Sequence, residues 1–231
     1  MSVAKEVKKI VNQMMDKRIE DKEITFRCQP ATPHNSAIGV NDYASVLGQI
    51  PNGVLDFQRI GDKIMPKYLR VTGKVGIDVS SMTLNAPIEV RVIAFTQQGL
   101  TDYSNTGSLA DPSDLLRGPG GTLVPYDGTI GNHLLPINKV GFRKYFDKKF
   151  KLNIIDAQTT GQGVATTSSS ASFSFKIKCP KYLKFDAGVN WPNNFAPYLA
   201  VGFCYLDQAT PAVVVTPVVC DAVASLVFED A

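Results

Sequence analysis

The side chains that could do acid–base or nucleophilic chemistry in this sequence are few and scattered. The two histidines, His34 and His133, lie in loop-like sequence, and neither has a partner at the spacing of a triad or a metal site. We interpret both as incidental loop residues. Aspartates and glutamates mostly adjoin turns, where capping and solvation account for them. The sequence therefore predicts no catalytic residue and no enzyme activity, although a carboxylate pair assembled only by folding would escape this search.

The four cysteines, Cys28, Cys179, Cys204 and Cys220, show neither metal-binding spacing nor a CxxC pair. Each lies in an apolar or alternating run, which predicts small buried side chains in a reducing compartment. No cofactor is predicted from these residues.

The single tryptophan raises a different possibility. Trp191, in Asn190-Trp191-Pro192, could be a sugar platform or an anchor in a protein contact. With Tyr198 and the loops of residues 97–138, it defines an alternative hypothesis: a lectin-like β-sandwich that binds carbohydrate or another ligand.

Positive charge is concentrated in one region. The formal net charge is +3, yet residues 139–184 hold ten Lys or Arg against two Asp or Glu, and residues 185–231 hold no Lys or Arg. A subunit with such a region can turn a positive surface towards a polyanion. The candidate nucleic-acid-binding residues in this region are Arg143, Lys144, Lys148, Lys149, Lys151, Lys176 and Lys178.

Two kinds of element are predicted to position these residues. Val3, Val7, Ile10, Val11 and Met14 recur at helical spacing, so residues 1–23 are predicted to form a helical arm. Residues 24–231 are predicted to form one β domain. The start of the chain does not resemble a signal peptide, and no apolar run is long enough to span a bilayer.

The β domain is predicted from alternating and β-branched runs separated by long loops. Glycines 73 and 76 are possible bulges. The predicted strands are Ile24–Gln29, Tyr68–Val79, Ile88–Thr96, the basic region Lys139–Ile155, Ser172–Cys179, Tyr198–Leu206, Ala212–Val219 and Ala222–Phe228. No helix is available for parallel crossovers, so we expect about eight antiparallel strands in two packed sheets, which is the all-β jelly roll.

Three segments, in order along the chain, resemble one protein family. They are Glu6–Asn12 leading to Lys22–Phe26, then Gln58–Ile64 with its Arg-Ile-Gly-Asp turn before Leu69–Gly73 and Ile88–Phe95, and finally Val140–Leu152. The chain is similar in these segments to capsid proteins of small circular single-stranded DNA viruses, whose shells resemble that of satellite tobacco necrosis virus. The matches cover about the first two-thirds of the chain.

The resemblance implies a coat protein that assembles with itself into a small icosahedral (T=1) shell of sixty copies around a single-stranded DNA genome. The virion is the implied location, with assembly in the host nucleus or cytoplasm and no membrane partner. By position, the arm residues that would contact the genome are Lys5, Lys8, Lys9, Lys17 and Arg18. Related shells can hold Ca²⁺ at subunit contacts, for which Asp207 or Asp221 could serve.

Overall fold

Alternation of apolar and polar residues produces the principal strands, because successive side chains point to opposite faces. In Ser170–Ile177, for example, Phe173 and Ile177 are buried while Ser172, Ser174 and Lys176 are exposed. The computed structural model describes residues 7, 21–28, 43–77, 87–100, 114–157, 165–207 and 218–230. The predicted arm, residues 1–23, lies outside this set except for residues 7 and 21–23.

The elements follow one another in chain order. The strands are β1 Lys22–Cys28, β2 Ala44–Ser45, β3 Lys63–Ile77, β4 Ile88–Gln97, β5 Leu116–Arg117, β6 Leu123–Val124, β7 Phe142–Leu152, β8 Ile154–Ala157, β9 Ala165–Ser168, β10 Ser170–Ile177, β11 Leu183–Lys184, β12 Tyr198–Tyr205 and β13 Val218–Asp230. The short helix α1, Ile130–Leu134, and a 3₁₀ turn, Pro119–Gly121, lie in the connection between β4 and β7.

Two antiparallel sheets contain the long strands. Sheet 1 has the order β1-β13-β3-β10, with β11 also paired to β3, and sheet 2 has the order β2-β12-β4-β7. Among the eight strands of these two paths, the first pairs with the last, the second with the seventh, the third with the sixth and the fourth with the fifth. A long antiparallel ribbon folded in this way is a jelly roll. The predicted fold class is therefore confirmed.

Aromatic side chains join the two sheets along one side of the sandwich. Phe146 of β7 stacks on Phe175 of β10 with ring centroids 4.3 Å apart, and it also lies 6.0 Å from Phe173. Stacked rings bury large apolar areas and add a directional attraction. These contacts fix β7, the edge of sheet 2, against β10, the edge of sheet 1.

The outer faces of the two sheets differ in their exposure. All eight residues of β12 are buried, and in β4 the outward-pointing Arg91, Ile93 and Phe95 are each only 1% exposed. The connection between β4 and β7 covers this side: Tyr126 packs so closely on Gly202 that a Cβ there would overlap its ring. We call this the covered face. The outer side of sheet 1 bears exposed residues on all four long strands, and we call it the open face.

The Arg-Ile-Gly-Asp turn fixes the connection between β2 and β3. Arg59 is 1% exposed; its guanidinium donates to the carbonyl oxygens of Ile50, Gly61 and Val189 and lies 4.3 Å from the centroid of the Phe185 ring. Gly61 has φ +85°, a conformation that favours glycine. The turn is therefore a buried structural clamp.

Two details of the strand prediction are wrong. The prediction of two separate strands, Ala212–Val219 and Ala222–Phe228, is wrong, because β13 runs without a break from Val218 to Asp230. Residues 212–217 lie outside the described set. The ladders pass through Gly73 and Gly76 in unbroken register. The register between β13 and β3 shifts at Val227 and Phe228, where Lys67 is the extra residue on β3. Gly73 instead allows close approach of Phe173 and Ala222.

Candidate nucleic-acid interface

The predicted basic residues are distributed over several surfaces. Those of the arm, Lys5, Lys8, Lys9, Lys17 and Arg18, lie outside the described residues and remain a prediction. In β7, Lys149 and Lys151 project on the side of the covered face, whereas Lys148, opposite Val92, projects on the other side, with its ammonium 5.3 Å from the Phe150 ring centroid. Alternation along β7 therefore divides this run of lysines between two sides of the sheet.

A different set of cations lies on the open face. Cross-strand pairing places Lys176 beside Arg70, Ser174 beside Thr72, and Ser172 beside Lys74. All six side chains are exposed, and Arg70 Nε donates to Ser174 Oγ at 3.1 Å. This patch of three cations and three hydroxyls is suited to phosphate oxygens, which accept hydrogen bonds from both groups. We call these six residues the basic patch.

The rest of the open face is closer to neutral. Arg27 of β1 donates to Asp221 of β13, with Nη2 and Oδ2 3.0 Å apart. The hydrogen bond from Arg27 and its positive charge hold the pKa of Asp221 below its ordinary value, which favours the ionised carboxylate. Excess positive charge therefore lies on the β3–β10 half of the face. The sequence contained a signal for Arg70 and Lys74, which alternate with buried Leu69, Val71 and Val75.

A basic cleft lies between the start of β7 and the segment that joins β10 to β12. It has a volume of about 500 Å³, and Arg143, Lys178 and Lys181 contribute its cations. None of the described residues that line it is acidic. An adjoining hollow of about 570 Å³ shares Arg143 and adds Lys139 and Lys144. Folding thus brings Arg143 and Lys178 together from two predicted strands, and Lys181 was missed by the sequence analysis.

A buried polar cluster lies beneath the covered face. Arg91 donates to both carboxylate oxygens of Asp147, at 2.8 and 3.0 Å, and to the carbonyl oxygen of His133 at 3.0 Å. Burial opposes ionisation of Asp147, but Arg91 and Lys144 together hold its pKa below the ordinary value. The cluster fastens the β4–β7 connection to sheet 2.

The interpretation of His133 as an incidental loop residue is wrong. Its ring is buried in α1, where Nδ1 lies 2.9 Å from the Tyr126 hydroxyl. Burial raises the pKa of Tyr126, so its hydroxyl stays protonated and can donate this bond. Nε2 lies 3.2 Å from Glu89 Oε2, in a geometry that makes no hydrogen bond. His133 therefore belongs to the buried polar cluster beneath the covered face. His34 lies outside the described residues.

Acid is expected to weaken the fold through His133. Burial, with the nearby charges of Lys149 and Arg91, lowers its pKa from 6.5 to about 3. The unfolded chain therefore binds more protons between these values, and the free energy of unfolding falls as pH falls, by up to about 1.4 kcal/mol per unit. Urea unfolding at pH 6.5, 5.5 and 4.5 should show a smaller slope for His133→Gln than for the wild type. Equal slopes would contradict this account.

The two aromatic residues of the carbohydrate-binding alternative do not form an exposed platform, and residues 101–113 of its loops lie outside the described set. Tyr198 is 4% exposed and stacks on Phe95 with ring centroids 6.2 Å apart. Trp191 is partly buried and packs against the hydrophobic core. Tyr198 is therefore a core residue, which removes half of the aromatic pair on which that alternative rested.

No three His, Cys, Asp or Glu side chains in the described segments are grouped so that they could hold a metal ion. Asp221, one suggested calcium ligand, is paired with Arg27. The cysteines Cys28 and Cys204 are buried, and Cys179 and Cys220 are partly buried; burial raises the pKa of each thiol. None of the helices described is long and apolar enough to cross a membrane.

Comparison with known proteins gives matches among solved structures. No protein-family model matches the chain, and no curated protein matches it. A solved structure described as Desmodium yellow mottle tymovirus aligns with 92% of this chain and 88% of its own, at 9% identity and a TM-score of 0.38. At this score the likeness adds nothing to what the strand order already shows.

Proposed function

We propose that this protein is a capsid subunit that assembles with identical copies into a small icosahedral shell around a single-stranded nucleic acid. The observation that carries the proposal is a jelly roll with a complete core that still exposes large apolar side chains. Jelly rolls serve as capsid domains, although the fold alone does not fix function. The resemblance in sequence supports a shell of sixty copies and a DNA genome.

Several large apolar side chains are exposed in the β2–β3 and β4–β7 connections, and others, Tyr68, Val219 and Val223, are exposed on β3 and β13. Between β2 and β3, Val54 is 86% exposed, Leu55 52% and Phe57 45%; between β4 and β7, Leu134 is 64% exposed and Val140 74%. Such groups of exposed apolar side chains mark protein contacts. In a closed shell each contact repeats, so that modest contacts act together.

Imaging of purified protein tests the proposal. Negative-stain electron microscopy is expected to show uniform closed particles, and light scattering should give a mass close to that of sixty subunits. A monomer that persists across salt concentrations and pH would overturn the assembly hypothesis. Saturable glycan binding by such a monomer would favour the lectin-like alternative.

The open face supplies the surface that we propose to meet the genome, because the opposite outer face is occupied by the β4–β7 connection. Lys74→Gln/Lys176→Gln is expected to weaken binding of single-stranded DNA. It should reduce the slope of log affinity against log salt by about 0.7 for each phosphate that the variant no longer neutralises. Fluorescence anisotropy with a labelled oligothymidylate measures both quantities.

The matched control for this prediction is Lys148→Gln/Lys151→Gln. It removes the same charge from two lysines of β7 that lie off the open face. Its affinity should stay close to that of the wild type. Equal losses in the two double variants would mean that net charge, and not the basic patch, governs binding.

A further inference from the structure

The cations of the basic cleft lack counter-charges of the kind that Lys67 and Arg91 have. Lys67 lies between Asp21 and Glu229, and Arg91 is paired with Asp147. Within the described residues, Arg143, Lys178 and Lys181 form no ion pair, and the cleft that they line has no acidic residue. Three like charges around one concave space repel one another, and a bound anion would relieve that repulsion.

The walls of the cleft are held in place without a ligand. The Arg143 guanidinium lies 5.5 Å from the Tyr145 ring centroid, and Tyr145 packs edge-on against Phe195 at 6.4 Å. Asn194 donates to the Tyr182 carbonyl at 2.9 Å and accepts from the Lys184 amide at 3.0 Å, which fixes the segment that bears Phe195. Because the groups of a preformed site are already ordered, little binding free energy is lost in ordering them.

The cleft combines charge with apolar surface. Leu100 and Phe195, 6% and 7% exposed, line it together with Pro180 and Ala196. Its volume of about 500 Å³ falls within the range of sites for small organic ligands and exceeds what a bare phosphate needs. Arginine and lysine are the side chains that bind phosphate groups most strongly, through charge-assisted hydrogen bonds. The complementary ligand is a phosphate ester with an organic part of moderate size.

We propose that the basic cleft binds a nucleotide through its phosphate, with Arg143, Lys178 and Lys181 as the phosphate ligands and Leu100 and Phe195 beside the organic part. The nucleotide can be free or part of a nucleic-acid strand, since both offer the same chemistry. The site belongs to one subunit and shares no residue with the basic patch. It therefore does not rest on shell assembly.

Binding of three probes to the wild-type protein tests the proposal: inorganic phosphate, thymidine monophosphate and pentathymidylate. Titration calorimetry is expected to give saturable binding of the monophosphate, stronger than that of inorganic phosphate. Arg143→Gln/Lys178→Gln should weaken it at least tenfold, while Lys148→Gln/Lys151→Gln should leave it unchanged. Pentathymidylate that binds more tightly, with the same dependence on the cleft, would identify a strand as the source; tight binding of the monophosphate alone would identify the free nucleotide.

A second variant, Lys178→Gln/Lys181→Gln, leaves the Arg143–Tyr145 contact intact and separates removal of phosphate ligands from disturbance of the wall. This variant should weaken binding of the monophosphate to a similar extent without lowering the melting temperature of the free protein. Absence of saturable binding, or equal weakening in the Lys148→Gln/Lys151→Gln control, would overturn the proposal. Particle imaging decides assembly separately, so failure of one hypothesis is distinguishable from failure of the other.

Discussion

Replacing Val54 and Phe57 with aspartate is expected to give a folded subunit that no longer forms particles. Both side chains are exposed, so the substitution removes nothing from the core. In an assembled shell, however, each would place a carboxylate in an apolar contact, where an unpaired charge is costly. Because the same contact recurs around a closed shell, the penalty applies at every repeat, and assembly should fail entirely.

Size-exclusion chromatography with light scattering measures this effect, and the melting temperature reports whether the subunit stays folded. The matched control compares two single variants, Val54→Asp in the β2–β3 connection and Val219→Asp as its control. Val219 is 51% exposed and belongs to β13, away from the β2–β3 connection. Val54→Asp should lower particle yield much more than Val219→Asp. Normal particles from the Val54→Asp/Phe57→Asp protein would show that this connection is not a contact between copies.

The second large effect is expected from Arg91→Ala. The substitution removes the two hydrogen bonds that Arg91 donates to the Asp147 carboxylate, only 13% exposed at its side chain, and leaves the His133 carbonyl without its donor. Only the more exposed Lys144, with Nζ 3.6 Å from Asp147 Oδ2, then remains beside the carboxylate. Breaking one partner out of a buried pair typically costs about 3–5 kcal/mol. Urea unfolding of the subunit should show a decrease of this size, and Arg91→Ala/Asp147→Ala should lose less than the sum of the two single variants.

Arg27→Ala provides the control for Arg91. Arg27 and Asp221 make a similar bidentate contact, but on the exposed open face, where solvent screens the interaction. The urea unfolding midpoint of Arg27→Ala should stay close to that of the wild type. A small effect of Arg91→Ala, comparable to that of Arg27→Ala, would mean that the covered face is held by apolar packing alone.

Strand periodicity predicted the fold well because each long strand has one face in the core. Ser170–Ile177 and Tyr198–Tyr205 begin or end within two residues of the predicted bounds. The two-residue strand Ala44–Ser45 was missed, since a strand that short shows no period. Partner choice was also beyond local pattern, because the pairing of β1 with β13 depends on contacts about two hundred residues apart.

The candidate sites were harder to predict because they depend on what covers each sheet. Arg91 alternates with Val90 and Val92 like any solvent-facing residue, yet it is buried, since the β4–β7 connection lies over it. His133 is in a loop-like run but belongs to the same buried cluster. Lys181 and Arg143 are distant in sequence and meet only at the cleft. Charge density along the chain located the basic region, but only the fold divided it into separate surfaces.

The position of β13 has a consequence for biosynthesis. This last strand lies between β1 and β3, so these earlier strands have no shared neighbour until residues 218–230 are available. During translation the ribosome tunnel still holds that segment when its synthesis ends, so sheet 1 closes only after the segment has left the tunnel. β1 and β3 therefore remain without the strand that joins them for the whole time in which the strands between β3 and β13 are synthesised.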